Sequence, residues 1–298
     1  MTTKSLPTAN RKLWWAAIKP PMYSVAVIPI WVGSAIAWSE QHHLETTIFW
    51  TFLGSAILII AWLNLTNDVF DADTGIDVNK AHSLVNLTGN QPLIFGLANS
   101  CLGLGCLGLV AIAWWQQDVT VLVLILLSCF LGYTYQGPPF RLGYQGLGEI
   151  ICFFTFGPLA VSAAYYSQAQ SWSSAMLAAS VIIGLTTSLI LFCSHFHQVE
   201  DDLAAGKRSP IARMGTTRGA QLLPWICSSI FSLILMFTLL RLFAVGALLT
   251  LISLPLAVHL CRHVWQHHHQ PDQVRNCKFI AVGFHFVSGL LLGLGLLV

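Results

Sequence analysis

The sequence predicts an all-α integral membrane protein, a bundle of about nine transmembrane helices with its N-terminus in the cytosol. Three observations predict it. Of 298 residues, 55% are hydrophobic and only 9% charged, with a mean hydropathy of +0.70; a soluble domain usually carries about 25% charged residues. Apolar runs long enough to cross roughly 30 Å of hydrocarbon as helix recur along the whole chain. The basic residues fall almost entirely in alternate connections between those runs. The formal charge of +2 is too small to suggest a nucleic-acid partner.

The elements follow in order. The opening stretch MTTKSLPTANRKLWWAAIKPP is polar and basic. It has no short apolar core ending in a small-residue cleavage site, so it reads as a cytosolic lead-in and not as a signal peptide. Spans are expected at 22–39, 46–64, 93–115, 119–136, 147–167, 172–194, 222–240, 243–261 and 278–298. Only LLRLF separates the seventh from the eighth, which makes them a tight hairpin. With this topology thirteen of the 14 Lys and Arg residues lie on the cytosolic side, and only Arg241 lies on the other. The charge pattern thus supports the span count independently of hydropathy. One membrane domain over residues 1–298 is the expected organisation. The eight cysteines sit nearly all in apolar runs without a C-x-x-C pair and read as packing residues. Trp14, Trp15, Trp114 and Trp115 read as interfacial anchors. His267, His268 and His269 read as part of a polar loop.

Two acidic segments interrupt this pattern, both on the side assigned to the cytosol. The first is NLTNDVFDADTGID, from Asn64 to Asp77. If the second span stays helical past Leu65, then Asn64, Asn67, Asp68 and Asp71 fall at i, i+3, i+4 and i+7, on one face. Gly75 is then the helix stop, and Asp73 lies off the shared face. The second segment is SHFHQVEDDLAAGKRSP at the end of span six. There His195, Gln198 and Asp201 or Asp202 could share a helical face, followed by Gly206 and Lys207. Seven of the 12 acidic residues of the chain lie in these two segments. Carboxylates crowded this closely repel unless something positive neutralises them. A hard divalent cation is the usual answer, and Mg²⁺ in particular takes one or two carboxylates, waters and substrate phosphates. One such loop alone is as well explained by solvation. Two at corresponding helix ends, with Lys and Arg nearby, point to a Mg²⁺–diphosphate clamp.

A third segment, LGYTYQGPPFRLGYQGLGE, joins spans four and five. It reads equally well as a turn with interfacial tyrosines or as a substrate-facing loop. In the second case Arg141 meets a phosphate or carboxylate, and Tyr133, Tyr135 and Tyr144 flank the substrate.

Taken together, NDVFDADTGID and HQVEDDLAAGKRSP make the chain resemble the intramembrane aromatic prenyltransferases of the UbiA-type superfamily, whose two aspartate-rich motifs lie on helices two and six. The N-D-x-x-D-x-x-x-G-x-D form, LGYQGLGE, FGPLAV at 156–161 and the Lys207-to-Ser209 stretch are similar to the naphthoate branch, in wording most like its cyanobacterial and plastid members. The resemblance implies Mg²⁺ held by Asp68 and Asp71 on one side and Asp202 on the other. Asn64, Asn67, Asp77, Gln198 and Asp201 are the further metal-site candidates. Lys80, Arg141 and Lys207 would meet the diphosphate, and Tyr133, Tyr135, Tyr144 and His195 would line the substrate pocket. Asp68, Asp71, Asp202 and Lys207 would carry catalysis. The partners implied are an isoprenoid diphosphate donor (phytyl or geranylgeranyl), a naphthoate acceptor and the bilayer of a plasma or thylakoid membrane, with the site facing the cytosol. The expected reaction is prenylation of a 1,4-dihydroxy-2-naphthoate or 2-carboxy-1,4-naphthoquinone ring with loss of CO₂, in phylloquinone or menaquinone synthesis. Homogentisate or 4-hydroxybenzoate is the alternative acceptor. A cation transporter is the distant alternative, and acids at helix ends without an internal repeat speak against it. The sequence also departs from the family pattern. Gln198 stands where the second motif's first Asp is expected, His195 where an Asn is common, and Lys19 where an Arg often precedes the proline of helix one.

Overall fold

The computed structural model describes Trp15, residues 17–75 and residues 83–298. Asp77, Lys80 and Trp14 lie outside the described residues. Nine apolar helices carry the architecture: α1 (Ser24–Gln41), α2 (Thr46–Thr74), α3 (Gln91–Gln116), α4 (Thr120–Gln136), α5 (Gly148–Ala169), α6 (Ser174–Ser194), α7 (Thr216–Leu239), α8 (Val245–His267) and α9 (Cys277–Leu296). Among the described residues, eight helical stretches are long and apolar enough to cross a membrane, and α4 is the shorter ninth. The chain is an integral membrane protein, and its outer surface agrees. Leu107, Trp114 and Leu239 are 65%, 75% and 74% exposed, positions that only lipid makes comfortable.

Every expected span is matched by a helix. The 240–244 linker between α7 and α8 is as short as LLRLF suggests. The largest departure in length is α2, whose apolar part was expected to end at 64 but which continues to Thr74. Nothing between Asn64 and Thr74 breaks a helix, and Gly75 stops it by adopting φ 75°, a left-handed geometry that glycine takes without strain.

α6 is the most enclosed helix of the bundle and packs against α1, α5, α7 and α9. α2 and α3 form an extensive antiparallel hairpin that packs against α1 and α4. In lipid the hydrophobic effect does not hold helices together, so close packing must. Small residues provide it. A methyl group at Gly33 of α1 would come within 2.7 Å of Ala164 on α5, and one at Gly157 of α5 would meet the Ser180 carbonyl of α6 at 2.4 Å. α5 itself carries a π turn at Thr155–Leu159, where Pro158 cannot donate to the regular ladder.

One expectation fails. Span six does not carry its second motif on a continuous helical face. α6 ends at Ser194, a 3₁₀ turn covers His195–His197, Gln198 leaves helical geometry at φ −115°, and a new short helix runs from Val199 to Ala204. Phe196 is the physical reason. It is buried, stacks edge-on against Phe192 with centroids 5.7 Å apart, and pins the turn to the core.

Candidate functional site

Both acidic segments lie at one end of the bundle, and the extended α2 supplies the first. Its 3.6-residue period brings Asn64, Asn67, Asp68 and Asp71 to the inner side, where Asp68 is fully buried and the others half-buried. Asp73 is exposed, and one of its carboxylate oxygens accepts a 2.6 Å hydrogen bond from Gln91 Nε2 on α3. Asp68 is held from two sides. Lys19 Nζ, just ahead of α1, lies 2.7 Å from Oδ1, and the Leu84 backbone N–H donates to Oδ2 at 3.0 Å. Lys19 keeps this position with a left-handed φ of 54°, a costly geometry for a residue with a side chain. A buried carboxylate needs such partners.

The broken second segment delivers Asp202 by a different route. The short helix folds back so that Asp202, 1% exposed, meets His195 Nδ1 at 3.1 Å and Lys207 Nζ at 3.4 Å. Burial pushes the Asp202 carboxyl up, but the His195 hydrogen bond and the Lys207 ammonium outweigh it and hold the group below the usual carboxylate range. Glu200 and Asp201 are exposed. Successive residues of a helix point about 100° apart, so Asp202 is the acid of this trio that turns inward. Gln198 is half-buried, and its carbonyl accepts the Asp202 N–H at 2.7 Å.

The 137–147 connection joins the two halves. Tyr144 Oη lies 2.8 Å from Thr74 Oγ1 at the end of α2, its carbonyl accepts the Arg208 N–H at 2.8 Å, and Lys207 Nζ sits 5.9 Å from its ring. Burial and the nearby carboxylates of Asp71 and Asp202 raise the Tyr144 phenol's pKa. Arg141 is half-buried beside Tyr144, and among the described residues its Nε has no hydrogen-bond partner. Tyr135 lies within electrostatic reach of Asp71, Asp202 and Glu149. Its ring has room because the residues beside it are Gly143 and Gly148, where a Cβ would come within 2.5–2.8 Å. Tyr133 belongs elsewhere: it stacks on Phe70 and donates to the Pro138 carbonyl at 2.7 Å.

Two residues of this chamber were not among the candidates. Lys19 stood out only as a departure from the family's arginine. Glu149, the last residue of the quoted LGYQGLGE stretch, belongs to no acidic run. It opens α5, its side chain is 17% exposed, and Oε1 lies 3.6 Å from His195 Nε2.

Below the polar residues lies a partly open apolar cavity of about 50 Å³ between α1, α2, α4 and α5. The α2 residues lining it include Phe52, Ala56, Ile60 and Leu63, the same helical stripe that continues upward to Asn67 and Asp71. The donor set suits Mg²⁺. Asp68, Asp71 and Asp202 offer oxygen alone, and among the described residues no three His, Cys, Asp or Glu side chains are gathered into a cage. Mg²⁺ needs none, because waters and substrate phosphates complete its shell.

The profile of the UbiA prenyltransferase family matches residues 26–289. The chain is 60% identical over 291 residues to a 2-carboxy-1,4-naphthoquinone phytyltransferase of Synechocystis sp., covering 98% of this chain and 95% of that one. It is 42% identical to the chloroplastic 2-carboxy-1,4-naphthoquinone phytyltransferase of Arabidopsis thaliana, covering 96% and 77%. Its fold is similar to a solved UbiA homologue from Archaeoglobus fulgidus bound to DMAPP and Mg²⁺, with a TM-score of 0.61 over 92% of this chain and 98% of that one, at 14% identity.

Proposed function

The chain belongs to the UbiA prenyltransferase family, and from that premise we propose that it transfers a phytyl group from its diphosphate to a naphthoate ring in quinone biosynthesis. The observation that carries this reading is the one stripe of α2. It is apolar from Phe52 to Leu63 and polar from Asn67 to Asp71. A ligand lying along it must have a hydrocarbon tail and a charged, oxygen-rich head, as an isoprenoid diphosphate does. The two relatives named as phytyltransferases support the phytyl tail and the naphthoate acceptor.

Asp68, Asp71 and Asp202 would hold Mg²⁺, with Asn64, Asn67 and Gln198 as half-buried polar neighbours. When bound, Mg²⁺ supplies positive charge against the negative charge that grows on the diphosphate as its C–O bond breaks. Lys207 and Arg141 add fixed cations to the same task, and Lys19 orients Asp68. Tyr135 presents an aromatic wall to the allylic cation. The ring carbon then bonds to that cation, and the ring carboxylate leaves as CO₂. The donor's tail and the prenylated product are both lipids and pass sideways between the helices and the bilayer. The distribution of Lys and Arg supports a chamber open toward the cytosol, in a plasma or thylakoid membrane.

The test is reconstitution of the purified protein in lipid with phytyl diphosphate, Mg²⁺ and, in separate reactions, 1,4-dihydroxy-2-naphthoate, homogentisate and 4-hydroxybenzoate. Prenylated 1,4-naphthalenediol, CO₂ and diphosphate are expected in equal amounts from the first acceptor. Turnover with one of the other two rings alone would overturn the acceptor assignment.

A further inference from the structure

We propose that the outer groove between α7 and α8 is a binding site for one anionic glycerolipid of the bilayer, with the lipid's headgroup on Arg262 and an acyl chain running along the groove.

The groove has a volume of about 410 Å³ and shares no lining residue with the apolar cavity of the chamber. Its walls are two facing stripes. Ser228, Phe231 and Ser232 stand along α7 at i, i+3 and i+4, and Leu254, Val258 and Arg262 stand along α8 at i, i+4 and i+8. Leu254 and Val258 are exposed, so the groove opens to the lipid side of the bundle. Cys227 and Ala257 are buried at its floor, and their small side chains leave the space between the helices unfilled.

The polar atoms are arranged in depth. Arg262 lies five residues before the end of α8 at His267, about 8 Å inside the end of the helix. A cation on the outer side of a crossing helix calls for an anionic partner. Arg262 is exposed, and among the described residues no carboxylate lies within ion-pair distance of it. The His268 and Thr216 side chains, 3.2 Å apart, set the register of the two antiparallel helices. Counted from that contact, Ser228 lies roughly one to two turns deeper than Arg262. Ser228 and Ser232 are exposed, and neither hydroxyl has a hydrogen-bond partner among the described residues. A hydroxyl left without an acceptor in hydrocarbon is costly.

A glycerolipid supplies what each level lacks. Its phosphate accepts from the guanidinium fork. Its ester carbonyls, set deeper than the phosphate, accept from the serines. Its chain covers Phe231, Leu254 and Val258. Trp265, exposed nearly one turn beyond Arg262 toward the helix end, suits the headgroup level. The headgroup's charge is decided by Arg262. A zwitterionic headgroup carries its own cation, which competes with the arginine for the phosphate, and an anionic headgroup does not.

The experiment titrates the purified full chain in a neutral detergent with phosphatidylglycerol and, separately, with phosphatidylcholine of the same acyl chains. Native mass spectrometry counts the lipids bound, and thermal melting follows their effect. Wild type is expected to hold one phosphatidylglycerol about ten-fold more tightly than phosphatidylcholine, the worth of a hydrogen bond to a charged group. Arg262→Gln should erase that preference and leave the melting temperature without lipid unchanged. Ser228→Trp, which fills the groove from an exposed position, should weaken both lipids. Arg218→Gln removes another exposed cation, in the first turn of α7 and outside the groove, and should keep the preference. Equal affinity for the two lipids in wild type overturns the proposal, because the groove then takes only whatever lipid surrounds it. So does a preference that survives Arg262→Gln, or one lost equally in Arg218→Gln, which would assign it to the diffuse positive charge of this end. A dimer that forms as the lipid is shed would give the groove to a second copy of the chain and overturn the proposal as well.

Discussion

The two ends of the bundle carry acids in opposite condition. At the end away from the motifs, Glu40 accepts from Tyr165 Oη and Ser173 Oγ, Asp118 accepts from the Thr120 N–H at 2.7 Å and Tyr166 Oη at 2.8 Å, and Glu45 pairs with His43 at 2.7 Å. Each of these carboxylates has a neutral donor or a neighbouring imidazole, and Glu40 and Asp118 tie one element to another. At the motif end lysines join the neutral donors and the imidazole, Lys19 on Asp68 and Lys207 on Asp202, and among the described residues Glu149 receives no donor from another residue. An acid that serves the fold is finished by the fold. An acid that serves a ligand is left with charges that the ligand can share or replace.

Substitutions at the two ends should therefore separate activity from stability. Asp68→Ala or Asp202→Ala should lower turnover by at least about a hundred- to a thousand-fold, the cost of removing one electrostatic stabiliser. The folded protein should remain in the membrane, as judged by melting temperature and extraction behaviour. Chelation with EDTA should stop the wild-type reaction, and added Mg²⁺ should restore it; activity that persists in EDTA would erase the distinction between the ends. Lys19→Met should raise the donor KM about ten-fold, because Asp68 loses the group that orients it. At the other end, Tyr165→Phe should cost about 1 kcal/mol of stability and leave turnover intact, read by thermal melting beside the assay.

The smallest effect concerns pH. Hydrogen bonds from Thr120 and Tyr166 hold the Asp118 carboxyl below its ordinary value. Its contribution to stability is thus present above about pH 4 and fades as the pH falls through the lower folded-state value. Asp118→Asn should flatten that acid-side slope in a melting series without changing activity. Asp73→Asn, exposed and bonded to Gln91, should likewise leave activity unchanged.

Much of this contrast is legible in the sequence, for definable reasons. The spans are legible because lipid imposes one requirement on every residue of a crossing helix, and nine long apolar runs satisfy it. The first motif is legible because α2 stays regular, so spacing converts directly to a shared face. The second is not, because Phe196 packs into the core and breaks the period at Gln198, and Asp202 reaches His195 by a turn that spacing cannot encode. The Lys19–Asp68 pair spans 49 positions, and Glu149 meets His195 across a helix boundary. Neither contact leaves a local signature. Glu149 is a single acid with nothing beside it to draw attention.

Tyr144 has a consequence for how such a chamber comes to exist. Its hydroxyl holds the end of α2, and its carbonyl holds Arg208, next to Lys207. The two aspartate segments, about 130 positions apart in the sequence, thus never need to find one another. During synthesis α2 and the 137–147 connection are complete before residue 199 is made. The later segment arrives at a berth already built and settles against it, as a late-arriving part settles into a jig.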